Sequence, residues 1–238
     1  MSKRAVVLAG GLGTRLRPYT MVLPKPLMPI GDYPILEVVI RQLAKHGFEH
    51  ITLAVNHQAE LFRAFFADGS KWGVKIDYSL EDYPLSTMGP LKLIHDLPKN
   101  FLVMNGDILT DLKFSSFFDA HVARESAFSI SSFYREQHID YGVLEVDENR
   151  SLSGFDEKPC KRFEVSMGIY MLNKRVLQFI PPNIAFGFDH LMRNLLADGT
   201  YQIAVRPHHG LWLDIGRPDD YMEAIDSFAS LKERIIDE

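Results

Sequence analysis

Cysteine is nearly absent: Cys160 is the only one in 238 residues, so no disulfide can close within the chain. Long apolar runs are missing too. No stretch approaches the roughly 20 apolar residues that a membrane helix needs. The apolar segment Ala5–Ala9 behind the basic Met1–Arg4 is too short for the core of a secretory signal. Positive charge is in deficit, with 26 Lys and Arg against 31 Asp and Glu, a net charge of −5. Such a chain gains no electrostatic help toward nucleic acid or an anionic membrane, so an anionic ligand needs a local cluster of cations. No internal repeat, low-complexity tract or linker interrupts it. These absences lead to the expectation of a cytoplasmic protein with a single domain over residues 1–238.

What is present suits a packed globular chain: 46% apolar and 24% charged residues. Ala5–Ala9 reads as a strand buried on both faces, as in a parallel sheet. A loop with four prolines follows over 10–32. Leu36, Val39, Ile40 and Leu43 then recur at helical spacing, with Glu37, Arg41 and Lys45 opposite, until Gly47 stops the helix. Ile51–Val55 is the next strand and Ala59–Ala67 a short helix. Val74, Ile76 and Tyr78 alternate with polar residues, as in a half-buried strand near a sheet edge, whereas Phe101–Met104 is apolar throughout and central. Strand–helix–strand units of this kind imply right-handed crossovers and a mostly parallel, helix-covered sheet.

The second half changes character. Gly142–Val146, a turn at Asp147–Arg150 and Leu152–Glu157 read as an antiparallel hairpin. Ser166–Leu172 and Tyr201–Val205 are further strands, and a final helix from Pro218 sets Tyr221, Ile225, Phe228 and Leu231 on one face. Asp219, Asp220 and Glu223 open that helix, where the dipole favours acids.

The chemistry concentrates in Gly10-Gly11-Leu12-Gly13-Thr14-Arg15-Leu16-Arg17-Pro18. Glycines after the first strand let backbone N–H groups approach phosphates or a base. The spacing is not that of a Walker A loop, and Leu16 occupies the third glycine position of a dinucleotide fingerprint. The alternative is a tight turn that holds nothing. Arg15, Arg17 and Lys25, the last locked between Pro24 and Pro26, add cations on stiff backbone. Asp107 ends the central strand in Asn105-Gly106-Asp107, where it either caps a turn or holds Mg²⁺ in the crevice beyond the strand ends. Asp214, set in Trp212-Leu213-Asp214-Ile215-Gly216, needs a partner amid apolar neighbours, and a shared metal is one. His208 and His209 lack a third ligand and read as surface residues.

Together, Leu8–Pro18 and Leu23-Pro24-Lys25-Pro26-Leu27 closely resemble the signature of the sugar-1-phosphate nucleotidyltransferases, a family that includes glucose-1-phosphate thymidylyltransferase and mannose-1-phosphate guanylyltransferase. Asn105-Gly106-Asp107, Tyr141-Gly142, Glu157-Lys158-Pro159, Gly168-Ile169-Tyr170 and Trp212–Gly216 match in order, over essentially the whole chain.

The resemblance implies an α/β fold, a three-layer α/β/α sandwich with a mixed, mostly parallel sheet, and transfer of a nucleotidyl group to a sugar 1-phosphate. It implies that Leu8, Gly10, Gly11, Gly13, Thr14, Arg15, Lys25, Thr87 and Gly89 bind the nucleotide, with Arg15, Lys25 and Asp107 catalytic. Asp107 and Asp214 would hold Mg²⁺, while Gly142, Glu157, Lys158, Gly168 and Arg193 meet the sugar phosphate. Pro84–Leu91 is similar to a guanylyltransferase stretch, so GTP is the expected donor and a mannose- or heptose-like 1-phosphate the acceptor. A thymidylyl- or uridylyltransferase acting on glucose-like or amino-sugar phosphates is the alternative. A non-catalytic regulatory relative is disfavoured because Arg15, Lys25, Asp107 and Asp214 are all present. Relatives also form homo-oligomers, and some carry a C-terminal hexapeptide-repeat domain, which is not expected here.

Overall fold

The computed structural model describes residues 3–11, 13–56 and 58–237. Met1, Leu12 and the side chain of Leu231, all used in the sequence reading, lie outside the described residues.

The elements in chain order begin with β1 (Lys3–Leu8), β2 (Pro29–Ile30), β3 (Tyr33–Pro34), α1 (Ile35–Lys45), β4 (Phe48–Val55) and α2 (Ala59–Phe66). Then come β5 (Lys75–Leu80), β6 (Asn100–Asn105), β7 (Ile108–Thr110), α3 (Phe114–Ala123), β8 (Phe128–His138) and β9 (Val143–Val146). The rest are β10 (Leu152–Asp156), β11 (Cys160–Asn173), α4 (Phe188–Asp198), β12 (Ile203–His208), β13 (Trp212–Asp214) and α5 (Pro218–Lys232). Seven strands form one sheet in the order β12-β8-β11-β6-β1-β4-β5. β6, β1, β4 and β5 run parallel, as do β12 and β8, and β11 is antiparallel to both its neighbours. This is the mixed, mostly parallel sheet expected, with β6 at its centre and β5 at its edge.

Both faces are covered. Ala5 and Val7 point into a core with Leu36, Val39, Ile40 and Leu43 of α1, Phe62 and Phe66 of α2, and Phe114 and Phe117 of α3. Val6, between them, points to the opposite core, with Leu191 and Leu195 of α4. A two-residue period with both sides apolar requires exactly this double covering. The four α1 side chains are fully buried, a burial that stabilises by about 1.5–3 kcal/mol each. A third cluster joins Leu16, Ile30 and Ile35 to Ile215, Tyr221 and Phe228, so α5 clamps the loop behind β1 against α1.

The hairpin forms as expected from β9 and β10, with Asp147 N–H donating to the Ser151 carbonyl at 3.0 Å. Other features escaped the periodicity. β8 is an eleven-residue strand whose Ser129, Ser131 and Ser132 are buried. Their hydroxyls are satisfied by His121, the Met167 sulfur and Glu164. β11 begins at Cys160, six residues before the strand read from the sequence. His208 is a correction: it is drawn inward onto Asp111, 2.8 Å away, a carboxylate that also accepts the Leu211 N–H at 2.6 Å and pairs with Arg234, so the ring is held in a local polar network and not left at the surface. His209 is exposed, beside Tyr134.

Candidate functional site

β1 ends at Leu8, and the backbone turns away from the sheet through glycines that Asn56 steadies, its amide donating to the Gly10 carbonyl at 2.6 Å. Gly13 adopts a left-handed conformation, φ 59°, that a side chain would strain, and its carbonyl accepts from the Thr20 hydroxyl at 2.7 Å. One 3-10 turn, Thr14–Leu16, then buries Leu16 and leaves Arg15 exposed. A second short turn, Lys25–Leu27, is held by the Leu27 N–H on the Pro24 carbonyl, and it buries Lys25 against the cleft wall.

Opposite, Gly106 N–H donates to the Leu8 carbonyl at 2.9 Å, so the turn after β6 is tied to the end of β1. The ribbon of β7 and β13 then brings Asp214 beside that turn. Asp214 is in register with Ile108, and Ile215 N–H donates to the Asp107 carbonyl at 3.2 Å. The result is one cleft of about 480 Å³, lined by Leu8, Gly10, Gly11, Gly13, Thr14, Arg15, Lys25, Thr87 and Asp107.

The charges in and beside it are coupled, Asp214 standing just outside the lining next to Gly216. Lys25 Nζ donates to and pairs with Asp107 Oδ2. Asp107 Oδ1 is buried and has no hydrogen-bond partner among the described residues. Burial pushes the Asp214 carboxyl above the usual carboxylate range, the neighbouring Asp107 pushes it further, and Lys25 and Arg15 pull it back. A methyl added at Gly216 would lie 3.7 Å from both Arg15 Nη1 and Asp214 Oδ1, and 3.5 Å from Asp220 Oδ2. Two adjacent carboxylates, one with an orphaned oxygen, fit a hard divalent cation that takes oxygen ligands.

Of the other expected residues, one more lines the cleft and the rest sit elsewhere. Thr87 lines the cleft while its hydroxyl accepts the Phe188 N–H at 2.8 Å. Gly89 is buried behind it against Ile184 and Phe186, outside the lining. Gly142 and Glu157 adjoin one another on the hairpin, since a methyl at Gly142 would lie 3.0 Å from Glu157 Oε2. They and Lys158 lie outside the cleft lining. Gly168 packs against Asn105. Arg193 is on the exposed face of α4, its side chain 77% accessible, 3.7 Å from Asp189.

Three residues of this region were missed. Glu81 lines the cleft one residue beyond β5, and its Oε2 accepts the Leu85 N–H at 2.9 Å. Its Oε1 would lie 2.7 Å from a methyl at Gly10, and burial raises its pKa, partly offset by the Leu85 N–H. Its place at the carboxyl end of a parallel strand is the signal that could have found it. Gly216, also in the lining, and Asp220, read only as an acid in a first helical turn, complete the group.

Against known families, the model described as nucleotidyl transferase matches residues 4–230. The chain is 33% identical over 242 residues to UTP–glucose-1-phosphate uridylyltransferase of Synechocystis sp., covering 93% of this chain and 62% of that protein. It is 32% identical over 235 residues to mannose-1-phosphate guanyltransferase of Candida albicans, covering 92% and 62%. The chain thus spans less than two thirds of the length of these curated relatives. Among solved structures, HddC from Yersinia pseudotuberculosis complexed with GMP-PN superposes with a TM-score of 0.73 at 26% identity, over 95% of this chain and 99% of that one.

Proposed function

Since this chain belongs to the nucleotidyl transferase family, we propose that it transfers a nucleotidyl group from a nucleoside triphosphate to a sugar 1-phosphate. GTP is the preferred donor, and a mannose- or heptose-like 1-phosphate the acceptor. The observation that carries the reaction class is the convergence of Arg15, Lys25, Asp107 and Asp214 beside a glycine loop, in an otherwise acidic protein.

In this reaction an oxygen of the sugar phosphate bonds to the α-phosphorus while the bond to pyrophosphate breaks. No general base is required, because a phosphate monoester with a second pKa near 6 is already ionised at neutral pH. Two polyanions repel, so the residues contribute positioning and charge neutralisation. Leu8, Gly10, Gly11, Gly13 and Thr14 hold the nucleotide through the loop backbone. Arg15 takes up charge on the departing pyrophosphate, and Lys25 neutralises the reacting phosphates from its buried seat. Asp107 and Asp214 would hold Mg²⁺, which would supply further neutralisation of phosphate charge. Gly142, Glu157, Lys158 and Gly168 meet the sugar phosphate. Arg193, whose guanidinium is exposed 3.7 Å from Asp189, joins them on that phosphate.

Glu81 supports GTP. Guanine offers two adjacent N–H donors, which one carboxylate can accept together. Uracil and thymine offer one N–H between two carbonyls that a carboxylate repels. A bidentate pair of this type discriminates by about 1–3 kcal/mol, roughly 5- to 150-fold. The guanyltransferase relative and the GMP-PN complex point the same way. Uridylyl transfer to glucose 1-phosphate is the second reading, favoured by the Synechocystis relative.

Pyrophosphate release from each common triphosphate, tested against a panel of sugar 1-phosphates, checks both levels. GTP with a mannose-like acceptor is expected to be fastest, Lys25→Ala to slow it by at least ~10²-fold, and Glu81→Gln to erode the preference for GTP about tenfold. Turnover in no combination, or full activity of Lys25→Ala, would overturn the reaction class. An unchanged base preference in Glu81→Gln would overturn the assignment of Glu81.

A further inference from the structure

Where β8 and β11 run beyond the body of the sheet, three metal-binding side chains come together. Directly opposed residues of an antiparallel ladder share a face, as do residues two apart on one strand. His138 opposes Cys160 and Glu136 opposes Arg162, so Glu136, His138 and Cys160 lie on one face. Their donor atoms all lie within 4.8 Å of one another, and Cys160 Sγ is 3.9 Å from His138 Nε2. Zinc bonds of about 2.0–2.3 Å at tetrahedral angles set donors roughly 3.5 Å apart. Small side-chain rotations, free at an exposed site, therefore suffice to converge the three.

Their neighbours do not compete. The Arg162 guanidinium, on the same face, stacks on the Tyr134 ring 4.2 Å from its centroid. Among the described residues no ion pair holds Glu136.

We infer that Glu136, His138 and Cys160 form a second cation site, selective for a thiophilic divalent ion of the zinc class. Thiolate and imidazole donors prefer zinc or cobalt to magnesium, so this site and the carboxylate pair of the cleft take different ions. On binding, the Cys160 thiol gives its proton to solvent and a sulfur–metal bond forms, with no change of oxidation state. The site also has a definite mechanical place. Residues 139–159, between two of its ligands, are the hairpin with Gly142 and Glu157, so an ion there ties the neck of that loop and reduces its freedom.

The test titrates the full chain with Co²⁺ in excess Mg²⁺. One Co²⁺ per chain is expected, with a thiolate-to-cobalt absorption band that Zn²⁺ abolishes and Mg²⁺ does not. Cys160→Ser is expected to lose the band. His138→Gln and Glu136→Gln should each weaken binding at least ~10-fold, the equivalent of about 1.4 kcal/mol. Zn²⁺ should slow hydrogen exchange over residues 139–159 in the natural chain and not in His138→Gln. Absence of the band, or binding indifferent to both Gln variants, would overturn the site; a band without hairpin protection would overturn the tie at the neck.

Discussion

Asp214 shows how single side chains are set against one another at the border of this cleft. Its carboxyl is buried and faces Asp107, so its pKa stands above the ordinary 3.8, with Lys25 and Arg15 offsetting part of the rise. An acid whose pKa is higher folded than unfolded holds its proton more tightly in the native state. The stability it contributes is full at acid pH and is lost as pH rises from 3.8 through the raised value. At neutral pH, Asp214 therefore works against the metal-free fold. Asp214→Asn is expected to raise the melting temperature at pH 7 without divalent ions, to lose that advantage toward pH 4, and to gain less from Mg²⁺ than the natural chain. Thermal melts across that range check it, and a lower melting temperature for the variant at pH 7 would contradict it. Lys25 is the converse case: its burial is offset by direct pairing with Asp107, so a local sequence of alternating prolines delivers a cation that only a distant acid makes tolerable.

Among the elements, β11 joins the two halves of the sheet. It pairs with β8 up to Ser166, shifts register, and from Ile169 pairs with β6 as well. Gly168 stands in the irregularity at φ 74°, and a methyl there would lie 2.7 Å from Asn105 Nδ2 and 2.9 Å from Ile108 Cδ1. Both contacts flank Asp107. Gly168→Ala is expected to cost about 1–2 kcal/mol from the left-handed backbone alone. The displaced turn should also lower turnover more than it lowers stability. Urea denaturation set beside steady-state kinetics measures the two, and an unperturbed kcat would show that the bulge and the Asp107 turn are independent. The serine-rich β8 is the element least visible in sequence, because its buried hydroxyls look like a loop until His121, Glu164 and Met167 satisfy them.

Across the molecule, the cleft follows from strand order. From β1 the chain proceeds to β4 and β5 on one side, and β6 lies on the other. Such a reversal opens a crevice at the carboxyl ends of the strands. Its walls come from the residues just past β1, β5 and β6: the glycine loop, Glu81 and Asp107. Ligand binding there should stabilise the whole fold. A triphosphate at 100 times its Kd adds about 2.7 kcal/mol, which for a chain of this size is a shift of roughly 5–11 °C. GTP with Mg²⁺ is expected to produce such a shift, UTP and dTTP at equal concentration a smaller one, and Lys25→Ala to lose most of it, from an unliganded melting temperature that is itself lower because Asp107 and Asp214 lose the cation between them. Equal shifts for the three nucleotides would remove the support for a guanine-reading pocket.

The sequence by itself determined the parallel half of the sheet, α1, the hairpin and the glycine and proline segments, because periodicity and backbone chemistry act between near neighbours. It also identified most of the charged residues of the cleft as individuals. The resemblance pairs Asp214 with Asp107, 107 residues earlier, at one Mg²⁺; only the tertiary structure decided that the two share a buried environment with Lys25 and Arg15, that Glu81 stands against Gly10 in the cleft wall, and that Arg193 lies on the exposed face of α4. Such pairings depend on which strands become neighbours, and no local pattern encodes them. The same holds for Glu136, His138 and Cys160, whose common face exists only once β8 and β11 are in register.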